Sequence, residues 1–285
     1  MKKVSIVIPT LGRETLYPLI ENLLKQKVKF SYEIVLIPQV KLREELLKDK
    51  KIKIYYEPLG KGFAYYRNVG IKKAKAGIIV FIDDDEIPMN LNWLNLITKP
   101  ILKGKEKVVT SGVNIKLGQG YLTDCISLLG FPGGGAIGFE TMWPLKERGY
   151  TDHLCSGNLA IKKDVLKDIG NFSNEMKNGN EDVDLAYKIL SLGIKIKYEK
   201  KATVYHVARK GFFNFISWNI TRGKSASEYL KGKKENRKIV ERLNSSKRIL
   251  KKTFKTKYFI GVCFMMFNQY LWQTWGYLWK RLKKY

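Results

Sequence analysis

Residues 76–88 of this chain read AGIIVFIDDDEIP, an apolar run that ends in four consecutive acids. An uninterrupted, β-branched run such as Ile78–Ile82 predicts a strand buried on both faces. Open α/β sheets bind their ligands at the edge where such strands end. On an extended backbone Asp83 and Asp85 point to one side and Asp84 to the other. Two carboxylates on one side suit Mg²⁺ or Mn²⁺ together with substrate phosphates, whereas the alternative is a solvated acidic turn.

The chain is strongly basic. Its 285 residues include 53 Lys and Arg against 26 Asp and Glu, a formal net charge of +27. Residues 208–285 hold 20 of the basic residues and 3 Glu, so this region alone carries +17. Such an excess attracts nucleic acid, anionic lipid headgroups or phosphorylated substrates, and charge alone does not choose among them. The length allows one large α/β domain or two smaller ones.

The two ends of the chain differ in character. Val4–Pro9 is too short for a signal peptide and predicts the first core strand. Three cysteines without CxxC spacing fit a reducing compartment. Residues 258–279 are apolar and rich in Trp, with Gln269 and Gln273 roughly on the helical face of Lys280. We predict an interfacial or steeply tilted helix, although the segment is long enough to span a bilayer; a buried core helix is the alternative.

The hydrophobic pattern predicts alternating strands and helices in the first part of the chain. The predicted strands are 4–9, 33–37, 52–56 and 77–82, and the predicted helices are 15–26, 41–51 and one that runs through 67, 68 and 74. The later prediction comprises strands at 108–115, 154–161, 194–198 and 202–206, a helix at 180–192 and a basic helical arm at 210–257. This alternation is typical of a parallel, doubly wound sheet.

Five segments, in this order, resemble the family 2 glycosyltransferases of the GT-A fold. They are VSIVIPT (4–10), RNVGIKKAKAGIIVFIDDDEIP (67–88), CSGNLAIKKDVLKDIGNF (155–172), NEDVDLAYKIL (180–190) and VYH (204–206). The resemblance implies an α/β fold of GT-A type, with a Rossmann-like, mostly parallel sheet flanked by helices. It covers about residues 1–207, with a nucleotide-sugar half at 1–90 and an acceptor half at 91–207. Residues 208–285 would be a basic helical extension that associates with a membrane.

The resemblance also implies roles for single residues in a metal-dependent, inverting sugar transfer. Asp83 and Asp85 would hold Mn²⁺ or Mg²⁺ with His206 as a third ligand, although a lone His at a strand end is more often structural. Glu86 is expected in the outer sphere or at the surface. Asp182 matches the family's general base, although an acid there also suits a helix N-terminus. The candidates for nucleotide-sugar binding are Thr10, Arg13, Lys61, Arg67, Asn68 and Asp84.

Two departures from the family pattern limit what the resemblance implies. Residues 38–40 (Pro-Gln-Val) follow the second strand where many relatives carry a base-recognising Asp, so UDP- and GDP-sugars both stay open. The Gln-x-x-Arg-Trp signature of processive synthases is missing, which favours a single addition. The acceptor side is expected around 133–143 and 155–158, and residues 222–224 (Arg-Gly-Lys) near a lipid phosphate.

These observations predict a glycosyltransferase at the cytoplasmic face of the cell membrane, either peripheral or anchored by its C-terminal segment. Its partners would be a UDP- or GDP-sugar, a lipid-linked or glycan acceptor and an anionic membrane surface, without nucleic acid. The alternative is a non-catalytic basic protein that binds nucleic acid or membranes. It leaves the acids at 83–86 and 181–182 unexplained, because acid clusters repel polyanions. Sugar-phosphate nucleotidylyltransfer is a further alternative, but its Gly-rich N-terminal loop is absent.

Overall fold

The computed structural model describes residues 3–43, 45, 47–115, 117–129, 145–176, 179–208, 210–229 and 236–282, and no side chain within 228–242. The chain divides into two compact units. The first, called here the catalytic unit, comprises Met1–Val113, Glu140–Lys177 and Glu181–His206. The second, the helical unit, comprises Asn114–Phe139, Asn178–Asn180 and Val207–Tyr285. The predicted boundary near residue 207 stays a prediction, and the helical unit also takes in the segment from Asn114.

The strands of the described residues form two sheets. The strands are β1 Val4–Thr10, β2 Tyr32–Pro38, β3 Ile52–Ile54, β4 Ile78–Ile82, β5 Glu86–Pro88, β6 Val108–Thr110, β7 Val113–Asn114, β8 Tyr150–Thr151, β9 Asn158–Lys162, β10 Ile196–Tyr198 and β11 Val204–His206. The larger sheet has the order β3-β2-β1-β4-β9-β6-β10-β8, and the smaller has the order β5-β11-β7. Strands β3, β2, β1 and β4 run parallel, whereas β9 is antiparallel to both of its neighbours. The expected mostly parallel sheet is confirmed.

Helices cover the larger sheet in the catalytic unit. They are α1 Leu16–Leu24, α2 Phe63–Lys73, α3 Trp93–Leu102, α5 Lys163–Asp168 and α6 Glu181–Ser191. The side chains of β1 alternate between two core layers, as the period of a strand requires. Ile6 and Ile8 belong to the apolar cluster that includes Leu19 of α1. Val7 belongs to the cluster that includes Ala64 of α2.

A glycine brings α2 close to the sheet. Gly70 faces β1, and a Cβ added there would overlap the Val7 side chain. The close approach fixes α2, and therefore Arg67 one turn earlier, against the end of the parallel strands. Packing thus explains why this position of the Arg-Asn-x-Gly segment carries no side chain.

The helix predicted at 41–51 is wrong. The described residues of that segment contain no α-helix. Leu42 and Leu47 are both buried in the same apolar cluster, yet residues five apart on an α-helix point roughly 140° apart. The described residues of the segment bury both leucines without an α-helix, and the exposed Arg43 forms an ion pair with Glu14. Conversely, α3 was missed, although Trp93, Leu94, Ile97 and Ile101 follow helical spacing.

The helical unit contains α4 Tyr121–Leu128, α7 Phe212–Tyr229, α8 Asn236–Thr253 and α9 Phe259–Leu282. Its apolar core includes Cys125, Phe215, Ile249 and Met265. Helices α7 and α8 confirm that residues 210–257 are largely helical over their described part. Within the described residues, none of the helices combines the length and the apolar character that crossing a bilayer requires.

Helices α7 and α9 pack backbone against backbone. A Cβ added to Gly223 of α7 would overlap the Gln273 carbonyl of α9, and one added to Gly276 would overlap the Ile220 carbonyl. The buried side chain of Gln273 donates a 2.7 Å hydrogen bond to Asn219 Oδ1. Gln273 is therefore an internal residue of the unit, although the sequence groups it with Lys280 on one helical face.

Candidate active site at the edge of the sheet

The loop after β1 is fastened to the acidic turn after β4 by Asp84. This buried carboxylate accepts hydrogen bonds from Thr10 Oγ1 at 2.7 Å and from the Leu11 amide at 3.0 Å, and it forms an ion pair with Arg13. Thr15 Oγ1 donates to the Asp84 carbonyl oxygen at 2.7 Å. Burial raises the pKa of Asp84, against the opposing effect of Arg13. Three candidate nucleotide-binding residues, Thr10, Arg13 and Asp84, are thus brought together.

Asp85 and His206 meet because two short strands pair. Strand β5 lies antiparallel to β11 with His206 opposite Glu86. This register places His206 Nε2 3.3 Å from Asp85 Oδ1, and Arg13 Nη1 lies 3.3 Å from Asp85 Oδ2. The side chains of Asp85 and His206 are largely buried. Two of the three predicted metal ligands therefore converge, although about 120 residues separate them in the sequence.

Arg67 joins two acids, Asp83 and Glu181, that lie about 100 residues apart in the sequence. Its buried guanidinium donates 2.8 Å from Nη2 to Asp83 Oδ1 and 2.9 Å from Nη1 to Glu181 Oε1. Burial alone would lower the pKa of Arg67, but Asp83 and then Glu181 raise it, so the cation is firmly held. The Asp83 side chain keeps 36% of its surface exposed. It is thus the member of this group that faces solvent.

Glu86 lies under the turn, so the expectation of a surface position is wrong. It is buried, and its Oε2 accepts a 3.2 Å hydrogen bond from the Asp83 amide. Burial, with Asp83 and Asp85 adding to it, raises the pKa of Glu86 well above its usual range. A Cβ on Gly157 would lie 2.6 Å and 2.7 Å from the Glu86 carboxylate oxygens and 2.9 Å from Asp83 Oδ2. Gly157 therefore leaves the space that these carboxylates fill.

The start of α6 presents a second pair of acids. Glu181 is buried, and burial raises its pKa to about 7 against the opposing effect of Arg67 and with a further rise from Asp182. Asp182 is half-buried, and its Oδ1 accepts a 2.7 Å hydrogen bond from the Val183 amide. Asp184 forms a 3.0 Å ion pair with Lys188 within the helix. Of the two aspartates, Asp182 is the one whose charge helps to raise the pKa of Arg67.

Two further nucleotide candidates lie outside this group of acids. Asn68 holds the segment after α5, because its amide donates to the Phe172 carbonyl at 2.9 Å and accepts from the Phe172 amide at 3.1 Å. Lys61 has an exposed side chain in the loop before α2, and its backbone amide donates to Tyr66 Oη at 2.9 Å. Their assignment to the nucleotide stays a prediction.

The expected acceptor side is described only in part. Residues 133–135 and Trp143 lie outside the described residues. Asn158 braces the sheet, because it accepts from Trp93 Nε1 at 3.1 Å and donates to the Gly112 and Ala202 carbonyls at 3.0 Å and 2.8 Å. Burial, followed by the influence of the nearby acids, raises the pKa of Cys155 well above its usual range. Its thiol is therefore kept protonated beside the site.

The residues 222–224, predicted near a lipid phosphate, lie on α7 in the helical unit. The guanidinium of Arg222 lies 4.4 Å from the centre of the Trp218 ring, and Lys224 Nζ lies 4.1 Å from the centre of the Trp279 ring. Both cations therefore rest on aromatic faces. A phosphate role for them stays a prediction.

The family model described as Glycosyl transferase family 2 matches residues 5–170, more than half of the chain. This protein is a family 2 glycosyltransferase. The match begins in β1 and takes in the acidic turn, Arg67 and Gly157. It ends before α6, so the comparison says nothing of Asp182.

The curated proteins similar to this chain are also named as glycosyltransferases. Pre-mycofactocin glycosyltransferase from two strains of Mycobacterium tuberculosis is 24% identical over 178 residues, which cover 57% of this chain. The chain spans about a third (35%) of the length of these curated relatives.

Solved structures show the fold. GalNAc-T7 with UDP, GalNAc and Mn²⁺ matches 90% of this chain and 58% of its own, with a TM-score of 0.58 and 17% identity. The mannosyltransferase PcManGT from Pyrobaculum calidifontis, in complex with GDP-Man and Mn²⁺, matches 99% and 84%, with a TM-score of 0.59 and 14% identity. The expected GT-A type of fold is therefore confirmed.

The chemistry of the donor set in this family 2 enzyme fits a divalent cation. Within the described part of the chain, His, Cys, Asp and Glu side chains nowhere form a group of three or more placed to hold a metal. Asp85 and His206 do converge, while Asp83 Oδ1 is engaged by Arg67. Carboxylate oxygens with an imidazole nitrogen suit Mn²⁺, and the crowding of acids favours a cation. Asp85 and His206 fit as the core of a metal site, and Asp83 as its solvent-facing neighbour.

Proposed function

We propose that this glycosyltransferase is metal-dependent and inverting, and that it moves a sugar from a UDP- or GDP-sugar to the hydroxyl of a lipid-linked or other membrane-proximal acceptor. Asp85, His206 and Asp83 would hold Mn²⁺ or Mg²⁺ beneath the donor's diphosphate. The bound cation would neutralise the negative charge that grows on the leaving diphosphate. Asp182 would serve as the general base.

One observation carries the proposal: a single guanidinium links the donor-side acids to the acceptor-side acids. Arg67 contacts Asp83 after β4 and Glu181 at the start of α6. Asp182 directly follows Glu181 and acts electrostatically on Arg67, which supports Asp182 as a base close to the proposed metal ligand Asp83. A displacement needs this proximity, because nucleophile, base and leaving group must meet at one carbon.

The proposed reaction is a single displacement. The acceptor oxygen forms a bond to the anomeric carbon, and its proton passes to a carboxylate oxygen of Asp182. The bond from that carbon to the diphosphate breaks, and its electron pair leaves on the phosphate oxygen. Attack from the face opposite the leaving group, without a covalent sugar–enzyme intermediate, inverts the anomeric centre.

The residues around the nucleotide support a donor of this class without naming its base. Arg13 and Asp85 lie at one end of the acidic turn, where the β1 loop meets it. Of the two solved neighbours, one holds UDP and the other GDP-Man, each with Mn²⁺. A basic, aromatic C-terminal region supports an acceptor at a membrane. We place the reaction at the cytoplasmic face, since the free cysteines Cys125, Cys155 and Cys263 suit a reducing compartment.

The decisive experiment compares two aspartates on one helix. Asp182→Asn is expected to lower transfer by about a thousandfold or more, since base catalysis contributes about 10² to 10⁴. It should leave the thermal shift produced by UDP or GDP with Mn²⁺ unchanged. Asp184→Asn makes the same chemical change two residues later, in an ion pair with Lys188, and is expected to retain transfer. Equal activity in both variants would remove the base assignment.

The donor half of the proposal has its own test in the same assay. Asp85→Asn should abolish the Mn²⁺-dependent thermal shift with both nucleotides, because it removes a charged ligand. A shift that survives in this variant would contradict the metal site. Stabilisation of the wild type by nucleic acid, with none by UDP or GDP, would favour the non-catalytic alternative.

A further inference from the structure

Helix α9 exposes a continuous apolar stripe. Its members are Ile260, Phe264, Phe267, Leu271, Trp275, Leu278 and Leu282, each between 46% and 79% exposed. The intervals of three and four residues place all seven side chains on one helical face. With a rise of 1.5 Å per residue the stripe is about 33 Å long. Single exposed apolar residues are ordinary on proteins, but an unbroken row of this length marks an interaction surface.

The opposite face of α9 is the buried one, and it combines the apolar residues Val262, Met265 and Met266 with polar ones. Asn268 and Gln273 are buried, and Gln273 is only 5% exposed. Its hydrogen bond to Asn219 gives the amide a partner inside the unit. Gly276 allows the backbones of α9 and α7 to touch. The helix thus packs by a face of apolar, polar and small residues, while the seven apolar side chains of the stripe stay exposed.

Helix α7 widens the stripe near its N-terminal end. Phe212 stacks on Phe264 with ring centres 5.9 Å apart, and Phe213 packs edge-on against Phe212 at 6.0 Å. Phe213 is 83% exposed. Two helices therefore contribute to one apolar surface, which we call the α9 surface: the seven residues of the stripe together with Phe213.

The charges around the α9 surface select its partner. Helix α9 contains no acid, and Lys280 and Arg281 lie at its C-terminal end, with Lys255 and Lys257 just before its start. A second copy of the chain would bring equal positive charges together, which opposes association. Nucleic acid would match the charge but not a row of Phe, Leu and Ile. An anionic lipid bilayer matches both, with acyl chains for the stripe and headgroups for the cations.

We propose that the α9 surface docks the protein on an anionic bilayer, with α9 parallel to the membrane plane at the boundary between headgroups and acyl chains. Aromatic residues such as Trp275 favour that boundary. Arg281 at one end of the helix and Lys255 and Lys257 before its other end would pair with lipid phosphates. The docking is independent of the proposed chemistry, since none of its residues belongs to the catalytic unit.

Vesicle co-sedimentation of the full chain tests the proposal. The probes are vesicles of phosphatidylcholine alone and of phosphatidylcholine with an equal share of phosphatidylglycerol. We expect strong binding to the anionic vesicles only, weakened by salt. Phe267→Ser with Trp275→Ser should weaken that binding about 100-fold, taking roughly tenfold for each partly inserted ring. Leu59→Ser with Leu192→Ser, at exposed positions of the catalytic unit, should leave it unchanged.

Each other outcome overturns the proposal. Equal binding by the two double variants shows that the α9 surface does not insert. Equal binding to both kinds of vesicle shows that anionic lipid is not the partner. A wild-type dimer in light scattering that Phe267→Ser with Trp275→Ser dissociates, with vesicle binding kept, assigns the surface to a second copy. Asp182→Asn protein must bind vesicles as the wild type does, so a failed reaction and a failed docking stay distinct. Circular dichroism confirms that the variants are folded.

Discussion

The two units bury polar side chains in different ways. The catalytic unit buries a cluster of ionisable side chains at the edge of its sheet: Arg67 lies between Asp83 and Glu181, and Glu86 and Asp85 crowd the same turn. In the helical unit the central buried pair, Asn219 with Gln273, is neutral. The acids of the first unit outnumber the cations that touch them, so that region favours a further cation. Asn219 and Gln273 satisfy each other by a hydrogen bond. The feature of the helical unit that is available for binding is its exposed apolar surface.

The difference indicates which feature of each unit is suited to bind a partner. Buried charges cost free energy unless they are paired, so their presence at a strand edge marks a site. Exposed apolar side chains likewise cost free energy until something covers them. In the catalytic unit the feature that favours binding is buried negative charge, and in the helical unit it is exposed apolar surface.

The largest expected effect comes from breaking the charged network. Arg67→Met leaves Glu181 buried without its cation, which should cost about 3 kcal/mol of unfolding free energy; the partly exposed Asp83 adds less. Arg43→Met is the matched control, because Arg43 pairs with Glu14 at the surface, where ion pairs contribute little. Urea unfolding followed by circular dichroism measures both. If the two variants lost equal stability, Arg67 would not be the central cation of the unit.

A smaller effect is expected where the helical unit is packed most closely. Gly223→Ala places a methyl group against the Gln273 carbonyl, so α7 and α9 must separate, at a cost of about 2 kcal/mol. Gly77→Ala is the control, since a Cβ there meets nothing within 4 Å. Thermal unfolding of both variants checks the prediction. Transfer activity measured below the unfolding transition should persist in Gly223→Ala, and its loss would show that the helices also serve the reaction.

Within the catalytic unit the sequence predicts some segments far better than others, for a physical reason. Strand β4 and the acids after it follow a local rule, in which an apolar run ends at a ligand-binding edge. The segment 41–51 misled because helix-forming residues such as Lys and Leu dominate it, while the burial of Leu42 and Leu47 is decided by the sheet.

The contacts that matter most are not local at all. Arg67 reaches Glu181 across 114 positions of the sequence, and only the folded sheet brings them together. Helix α9 shows the same limit. Its Gln and Trp residues are visible in the sequence, but which face turns inward depends on Asn219 and Gly223 of α7. Periodicity reveals that a face exists and leaves open what it touches.

The smallest expected effect is a pH dependence of the unfolding free energy, which should arise from the buried acid Glu181 and not from the neutral pair of Asn219 and Gln273. Because burial raises the pKa of Glu181 from 4.5 to about 7, the folded protein holds this proton more tightly than the unfolded chain does. The stability that the proton contributes is complete below about pH 4.5 and is lost as the pH rises to about 7. Relative to Glu181→Gln, the wild type should therefore lose about 1 kcal/mol between about pH 5 and about pH 6.

Gln273→Met provides the contrast in the helical unit. It breaks a neutral hydrogen bond, so its cost in unfolding free energy should be the same at both pH values. Urea unfolding of the three proteins at each pH measures these differences. A pH-independent difference between wild type and Glu181→Gln would mean that Glu181 is already ionised at pH 5, with Arg67 outweighing its burial. The acids of the catalytic unit would then be as fully paired as the amides of the helical one.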